Sequence, residues 1–199
     1  MKKISLFTKL LKWFACSFLY RVKLHNSEVL DKYNSYLICA NHSCVFDPVF
    51  IFPVMYEDDI SIIAKEDLFK YFWFRCLTRK YHIISINREQ TDVKSLLKSL
   101  NVFNEKPNAK LILFPEGRIV KTNEDVGNVY KKGAAFIAVH MNKPIIPVYI
   151  TRRPKFFHKV DVVFGEPYYI EKSTLKGSGK FELESKKLID KIYELNIEK

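Results

Sequence analysis

The sequence predicts an α/β fold: a single domain with a mixed, largely parallel sheet flanked by helices. Three observations predict it. Short apolar runs with strand character recur along the chain, stretches with helical spacing separate several of them, and 199 residues suffice for one domain with a real core.

The elements follow in order. Between Met1 and Lys23, Ile4, Phe7, Leu11, Phe14 and Phe18 recur at helical spacing, with Ser5, Thr8, Lys9 and Lys12 opposite, which predicts an amphipathic helix. Lys9 and Lys12 interrupt the apolar run, so the helix is expected to lie in a membrane interface rather than cross it. Lys2, Lys3, Lys9, Lys12, Arg21 and Lys23 would each add about 1 kcal/mol near an anionic leaflet. The alternative is that the stripe packs on the protein's own core. The expected organisation is therefore residues 1–23 as a membrane-associating helix and 24–199 as the main domain, with Arg21–His25 a candidate short strand.

Strands are expected at Tyr36–Ala40, Ile60–Ala64, His82–Ile86, Lys110–Phe114, Ile145–Ile150 and Val160–Phe164. Helices are expected over Pro48–Met55, from Thr91 or Asp92 to about Asn104, over Lys132–Met141, and along Phe181–Leu195, whose Leu188, Ile192 and Leu195 should face the sheet. Asp67–Lys80, aromatic and basic, fits either a membrane-facing surface or a cap on the core. Gly177-Ser178-Gly179-Lys180 lacks the earlier glycine of a phosphate-binding loop and reads as a flexible linker.

The chemistry concentrates where the first core strand ends, at Asn41-His42-Ser43-Cys44-Val45-Phe46-Asp47-Pro48. On a continuous helix, residues five apart are separated by roughly 140°, so only a turn brings His42 and Asp47 together. Folded back, the carboxylate would hold one ring nitrogen and leave the other as a base. A substrate hydroxyl could then serve as nucleophile. The second reading makes Asp47 the N-cap of the next helix, with Pro48 at its first position and His42 an ordinary loop residue. Cys44 fits a small residue in a tight turn better than a nucleophile.

A formal charge of +11 implies an anionic partner. No zinc-knuckle spacing, basic region with heptads or glycine-aromatic sheet motif supports nucleic acid. Cys16, Cys39, Cys44 and Cys76 form no C-x-x-C pair, which suggests a reducing, cytosolic setting. His25, His42, His82, His140 and His158 show no paired metal-ligand spacing, so no metal is expected.

Asn41-His42 with Asp47, then Phe114-Pro115-Glu116-Gly117-Arg118, then Pro144-Ile145-Ile146-Pro147-Val148, stand in the order found in the glycerolipid acyltransferases. The chain resembles that family, typified by bacterial 1-acylglycerol-3-phosphate O-acyltransferase, from Tyr36 to Pro167. The resemblance implies transfer of a fatty acyl group from acyl-CoA or acyl-ACP to a lysophospholipid hydroxyl, without a further cofactor. It assigns His42 and Asp47 to catalysis. It assigns the Phe114, Pro115, Glu116 and Gly117 loop to the acceptor, Glu116 taking a bond from its hydroxyl, while Arg88 and Arg118, whose guanidinium groups could grip a phosphate, and more weakly Lys132, are candidates for the acceptor phosphate, the alternative being a solvated basic surface. The implied setting is the cytoplasmic face of the cell membrane. Two departures bear on the head group. Arg118 follows Gly117 directly, as in 2-acylglycerophosphoethanolamine acyltransferases, and Asn87 stands where many members carry Asp.

Overall fold

The fold is taken from a computed structural model, which describes residues 19–51, 60–65, 82–86, 101, 104–106, 108–170 and 178–197. The strands are β1 (Arg21–His25), β2 (Tyr36–Ala40), β3 (Ile60–Lys65), β4 (His82–Ile86), β5 (Lys110–Leu113), β6 (Ile145–Ile150) and β7 (Lys159–Phe164). They form one seven-stranded sheet in the order β1-β7-β6-β2-β5-β3-β4. Among the described strands only the β6–β7 pair is antiparallel, so the sheet is mixed and largely parallel, as the alternating pattern predicts.

Strand sequence explains the layering. Successive side chains point to opposite faces, and both faces of β2 are covered, so its five residues are all buried. Tyr36, Ile38 and Ala40 join one core layer with Phe50 and Ile51 of α1 (Asp47–Ile51) and Leu30 of a 3₁₀ turn at Ser27–Lys32. Leu37 and Cys39 face the other layer, under α2 (Gly133–Met141) and α3 (Ser178–Glu194). Each fully buried Leu, Ile or Phe of these layers contributes about 1.5–3 kcal/mol of apolar transfer free energy.

α2 is apolar on nearly every side, with Ala134, Ala135, Ile137, Ala138 and Val139 buried, and ends where Asn142 turns left-handed at φ 49°. α3 buries Leu188, Ile189 and Ile192, while Leu195 lies just past its end and is half-buried. Ser178, Gly179 and Lys180 belong to the first turn of α3, which corrects the flexible-linker reading for these residues. These residues carry no apolar periodicity, yet a first turn in which Gly179 and Lys180 are exposed needs none.

Arg21, Val22 and Lys23, read from sequence as the end of the amphipathic segment, pair with β7. His25 Nε2 sits 2.6 Å from Asp161 Oδ1 and fastens this edge strand. The amphipathic helix expected over the preceding residues, the Asp67–Lys80 stretch, and most of the helix expected between Thr91 and Asn104 lie outside the described residues. No helix among the described residues is long and apolar enough to cross a membrane.

The register places the site. Cys39 of β2 pairs with Leu113 of β5, and Ala40 with Val148 of β6. The segments leaving β2 and β5 therefore emerge side by side at the carboxyl end of the central parallel strands, where open α/β sheets bind ligands.

Candidate active site

Asn41 leaves β2 and stays fully buried. Its amide accepts from Ile150 N at 2.7 Å and donates to Ile150 O at 2.9 Å, extending the β2–β6 pairing through a side chain. This fixes the first residue of the turn, so His42 starts from a rigid point. Val120 N donates to His42 O at 2.8 Å and closes the other side.

The turn then folds Asp47 back on His42. Asp47 Oδ2 lies 2.9 Å from His42 Nδ1 and accepts from Ser43 N at 2.7 Å and Cys44 N at 2.8 Å. With Asp47 ionised, the contact requires a proton on Nδ1, which leaves Nε2 as the basic nitrogen. The cap reading needs correction. Asp47 is the first residue of α1, and its bonded oxygen receives donors from the preceding turn, while buried Oδ1 has no partner. Neither oxygen accepts a bond from the helix ahead.

Phe114, buried, stacks on the His42 ring at 4.4 Å between centroids and 27° between planes. It forms a wall of the imidazole. Pro115 O accepts from Lys131 N at 2.7 Å, and Gly117 N donates to Phe114 O at 3.0 Å, so the loop is a tight turn. Gly117 adopts φ 69°, and a Cβ there would lie 2.8 Å from Lys131 Cγ. Glycine is required on both counts.

Glu116 departs from the expectation that it binds the acceptor hydroxyl. It is only 1% exposed; Oε2 accepts from His42 N at 2.6 Å, and Oε1 accepts from the Tyr193 hydroxyl in a short bond. Each oxygen accepts one donor from the protein, so the carboxylate braces the His42 backbone. Burial raises its pKa above the ordinary glutamate range, against the lowering effect of Tyr193 and the His42 N–H. The Tyr193 hydroxyl is pushed up, first by burial and then by the Glu116 charge, and remains a donor.

The basic candidates are engaged elsewhere. Arg118 Nη2 donates to Asp125 Oδ2 at 3.0 Å, and Lys132 Nζ lies 3.0 Å from Glu182 of α3. Both pairs are largely solvent-exposed. Arg88 lies outside the described residues. Cys44 is half-buried with its thiol pushed up by burial, and Sγ accepts from Phe46 N at 3.5 Å, the environment of a turn residue. No group of three metal-ligating side chains occurs among the described residues.

Sequence reasoning missed Tyr193 and Arg152. Arg152, just beyond β6, reaches Asn123 Oδ1 at 3.2 Å and the carbonyls of Thr122 and Val120 at 3.4 and 3.5 Å. It ties the loop after Arg118 to the sheet. Its position after a strand adjacent to β2 was the available signal; Tyr193, on a distant helix, offered none.

A family model described as Acyltransferase matches residues 21–151. The chain belongs to that acyltransferase family. Among curated proteins, it is 28% identical over 127 residues to the 1-acyl-sn-glycerol-3-phosphate acyltransferase of Bacillus subtilis, covering 63% of this chain and 60% of that protein. It is 26% identical over 153 residues to the human 1-acyl-sn-glycerol-3-phosphate acyltransferase beta, covering 73% and 53% respectively. An uncharacterized acyltransferase of Schizosaccharomyces pombe is 28% identical over 152 residues, 74% of this chain and 53% of that protein. The aligned part of this chain thus spans a little over half the length of these relatives. Its fold is that of the 1-acyl-sn-glycerophosphate (LPA) acyltransferase PlsC from Thermotoga maritima, at a TM-score of 0.63 and 23% identity over 97% of this chain and 79% of that one. Asn41, His42, Asp47 and the Phe114–Arg118 turn all fall inside the matched span, whereas Tyr193 lies beyond it.

Proposed function

We propose that this acyltransferase moves a fatty acyl group from acyl-CoA or acyl-ACP to the free hydroxyl of 1-acylglycerol 3-phosphate, giving phosphatidic acid. The observation that carries the reading is the 2.9 Å contact of His42 Nδ1 with Asp47 Oδ2, which leaves Nε2 as the base. Nε2 takes the hydroxyl proton as the oxygen attacks the thioester carbon. The C–S bond breaks as the new ester forms, and the thiolate leaves and recovers the proton from the imidazolium. Asp47 holds the ring and stabilises its cation. Such general-base assistance is worth about 10²–10⁴ in rate.

The donor carries its own activation as a thioester, so the reaction as written calls on no further cofactor. A phosphorylated acceptor needs cations, and Arg118, with Arg88 from outside the described residues, is the candidate. Arg118 would exchange Asp125 for phosphate, an exposed pair worth about 0–1 kcal/mol and easily given up. The family relatives named for this acceptor support the reading, as does the net charge of +11, which favours an anionic membrane surface. The proposal puts the reaction at the cytoplasmic face of that membrane.

A second acceptor, acylglycerophosphoethanolamine, is favoured by Arg118 standing directly after Gly117. A panel of lysophospholipid acceptors and glycerol 3-phosphate, offered with labelled acyl-CoA to the protein on vesicles, decides between them. The highest kcat/KM is expected for 1-acylglycerol 3-phosphate. Transfer to no acceptor, from acyl-CoA or acyl-ACP, defeats the proposal.

A further inference from the structure

An apolar patch is exposed beside the His42 turn. Val45 and Phe46, inside the turn, are 41% and 39% exposed, and Phe156 and Phe157, in the loop between β6 and β7, are 56% and 58% exposed. Tyr20 joins the two groups, its ring 6.2 Å from Phe46 and 5.2 Å from Phe156. The same ring lies 4.9 Å from buried Phe50, which roots the patch in the core. Single exposed apolar residues are ordinary; a contiguous group next to a site marks a contact surface.

The patch is held in place. Arg153 N donates to Ser43 Oγ at 3.0 Å, tying the loop to the catalytic turn. Phe157 N donates to Leu19 O at 2.7 Å, and Arg21 Nη2 donates to Phe157 O at 3.1 Å. Arg153 and Phe157 both adopt the left-handed region, at φ 49° and 64°, which non-glycine residues enter only when their surroundings hold them there. The segment read from sequence as amphipathic enters the patch through Leu19.

Charge selects the partner. The segments that form the patch, 19–25, 42–46 and 151–159, contain no Asp or Glu; they contain Arg21, Lys23, Arg152, Arg153, Lys155 and Lys159. Of these, Arg21, Lys23, Arg153 and Lys155 are exposed, whereas Lys159, also exposed, is paired with Asp161 at 2.7 Å. Aromatic rings rimmed by cations suit an anionic lipid leaflet: rings enter the headgroup boundary while cations meet lipid phosphates.

We propose that Val45, Phe46, Phe156 and Phe157 dock on an anionic bilayer, seating the His42 turn at the lipid boundary. The inference deepens the acyltransferase reading, since a membrane-resident acceptor hydroxyl would then reach Nε2 without leaving the bilayer. Its test measures binding alone, so the two can fail separately.

Full-length protein is titrated with phosphatidylcholine vesicles, with and without phosphatidylglycerol. The Phe156→Ser/Phe157→Ser variant should bind anionic vesicles about tenfold more weakly, with an unchanged circular dichroism spectrum. Arg153→Gln/Lys155→Gln should lose about tenfold on anionic vesicles and nothing on neutral ones. In a third variant, Phe157→Trp, brominated lipid should quench more fluorescence than in the parent protein. Vesicle affinity of the serine variant within about twofold of the parent, or no added quenching at position 157, overturns the proposal. So does a parent that sediments as a dimer while the serine variant is monomeric, which would assign the patch to a second copy of the chain. Normal vesicle binding by the serine variant alongside full acyl transfer sinks the patch and spares the enzyme; weakened binding with no acyl transfer by the parent does the reverse.

Discussion

The His42 turn and the Glu116 loop meet at one residue but are closed in opposite ways. The turn closes from within: Asp47 Oδ2 takes donors from residues five, four and three positions earlier. The loop closes from outside: Glu116 receives His42 N across 74 residues and the Tyr193 hydroxyl across 77. A local device depends on its own few residues, whereas the loop depends on the register of the sheet and the seating of α3. The imidazole is thus oriented by its neighbours and braced by the fold.

Breaking the local side should cost most. Asp47→Asn removes the charge that holds the Nδ1–H tautomer, and kcat should fall by about 10²–10⁴, no further than on loss of the imidazole itself, with the spectrum of the fold retained. Initial rates beside circular dichroism check this. On the long-range side, Glu116→Gln turns an amide N–H toward one of two buried donors, a mismatch of about 1–3 kcal/mol. A fall in kcat/KM of about 10² and a lower urea midpoint are expected.

Tyr193→Phe sharpens the comparison because it removes one bond and keeps the ring. A rate loss of about tenfold is expected, at the low end of the range for one hydrogen bond to a charged group, about 1.5–3 kcal/mol. The pH profile is more telling. Burial already raises the Glu116 pKa and the Tyr193 bond lowers it, so losing that bond raises it further. Glu116 then protonates at higher pH, and the acid limb of kcat/KM should move upward relative to the parent. A packing role for Tyr193 would leave that limb in place. The smallest effect belongs to the surface: Asp125→Asn frees Arg118 and should leave Tm unchanged while lowering the acceptor KM severalfold.

The same contrast explains what could be read from the sequence. The central strands were legible because their runs are largely apolar, and the buried pattern of β2 and β6 follows from that. His42 and Asp47 were legible as a pair, but the direction of the carboxylate was not, since capping a helix and closing a turn call on the same residue type. Glu116 was legible as a residue of the site, while its bonds to His42 N and the Tyr193 hydroxyl were not. Its companions stand on β2 and α3, and no local pattern reports a contact across 77 residues. Arg118 and Lys132 were recognisable as cations, while Asp125 and Glu182, which hold them, looked like ordinary surface charges.

The most direct test is the rate of acyl transfer from labelled acyl-CoA to 1-acylglycerol 3-phosphate by His42→Ala, assayed on vesicles beside the parent protein. Loss of about 10²–10⁴ in kcat with an intact thermal transition is the predicted result. Transfer at nearly the parent rate would show that the imidazole held by Asp47 is not the base.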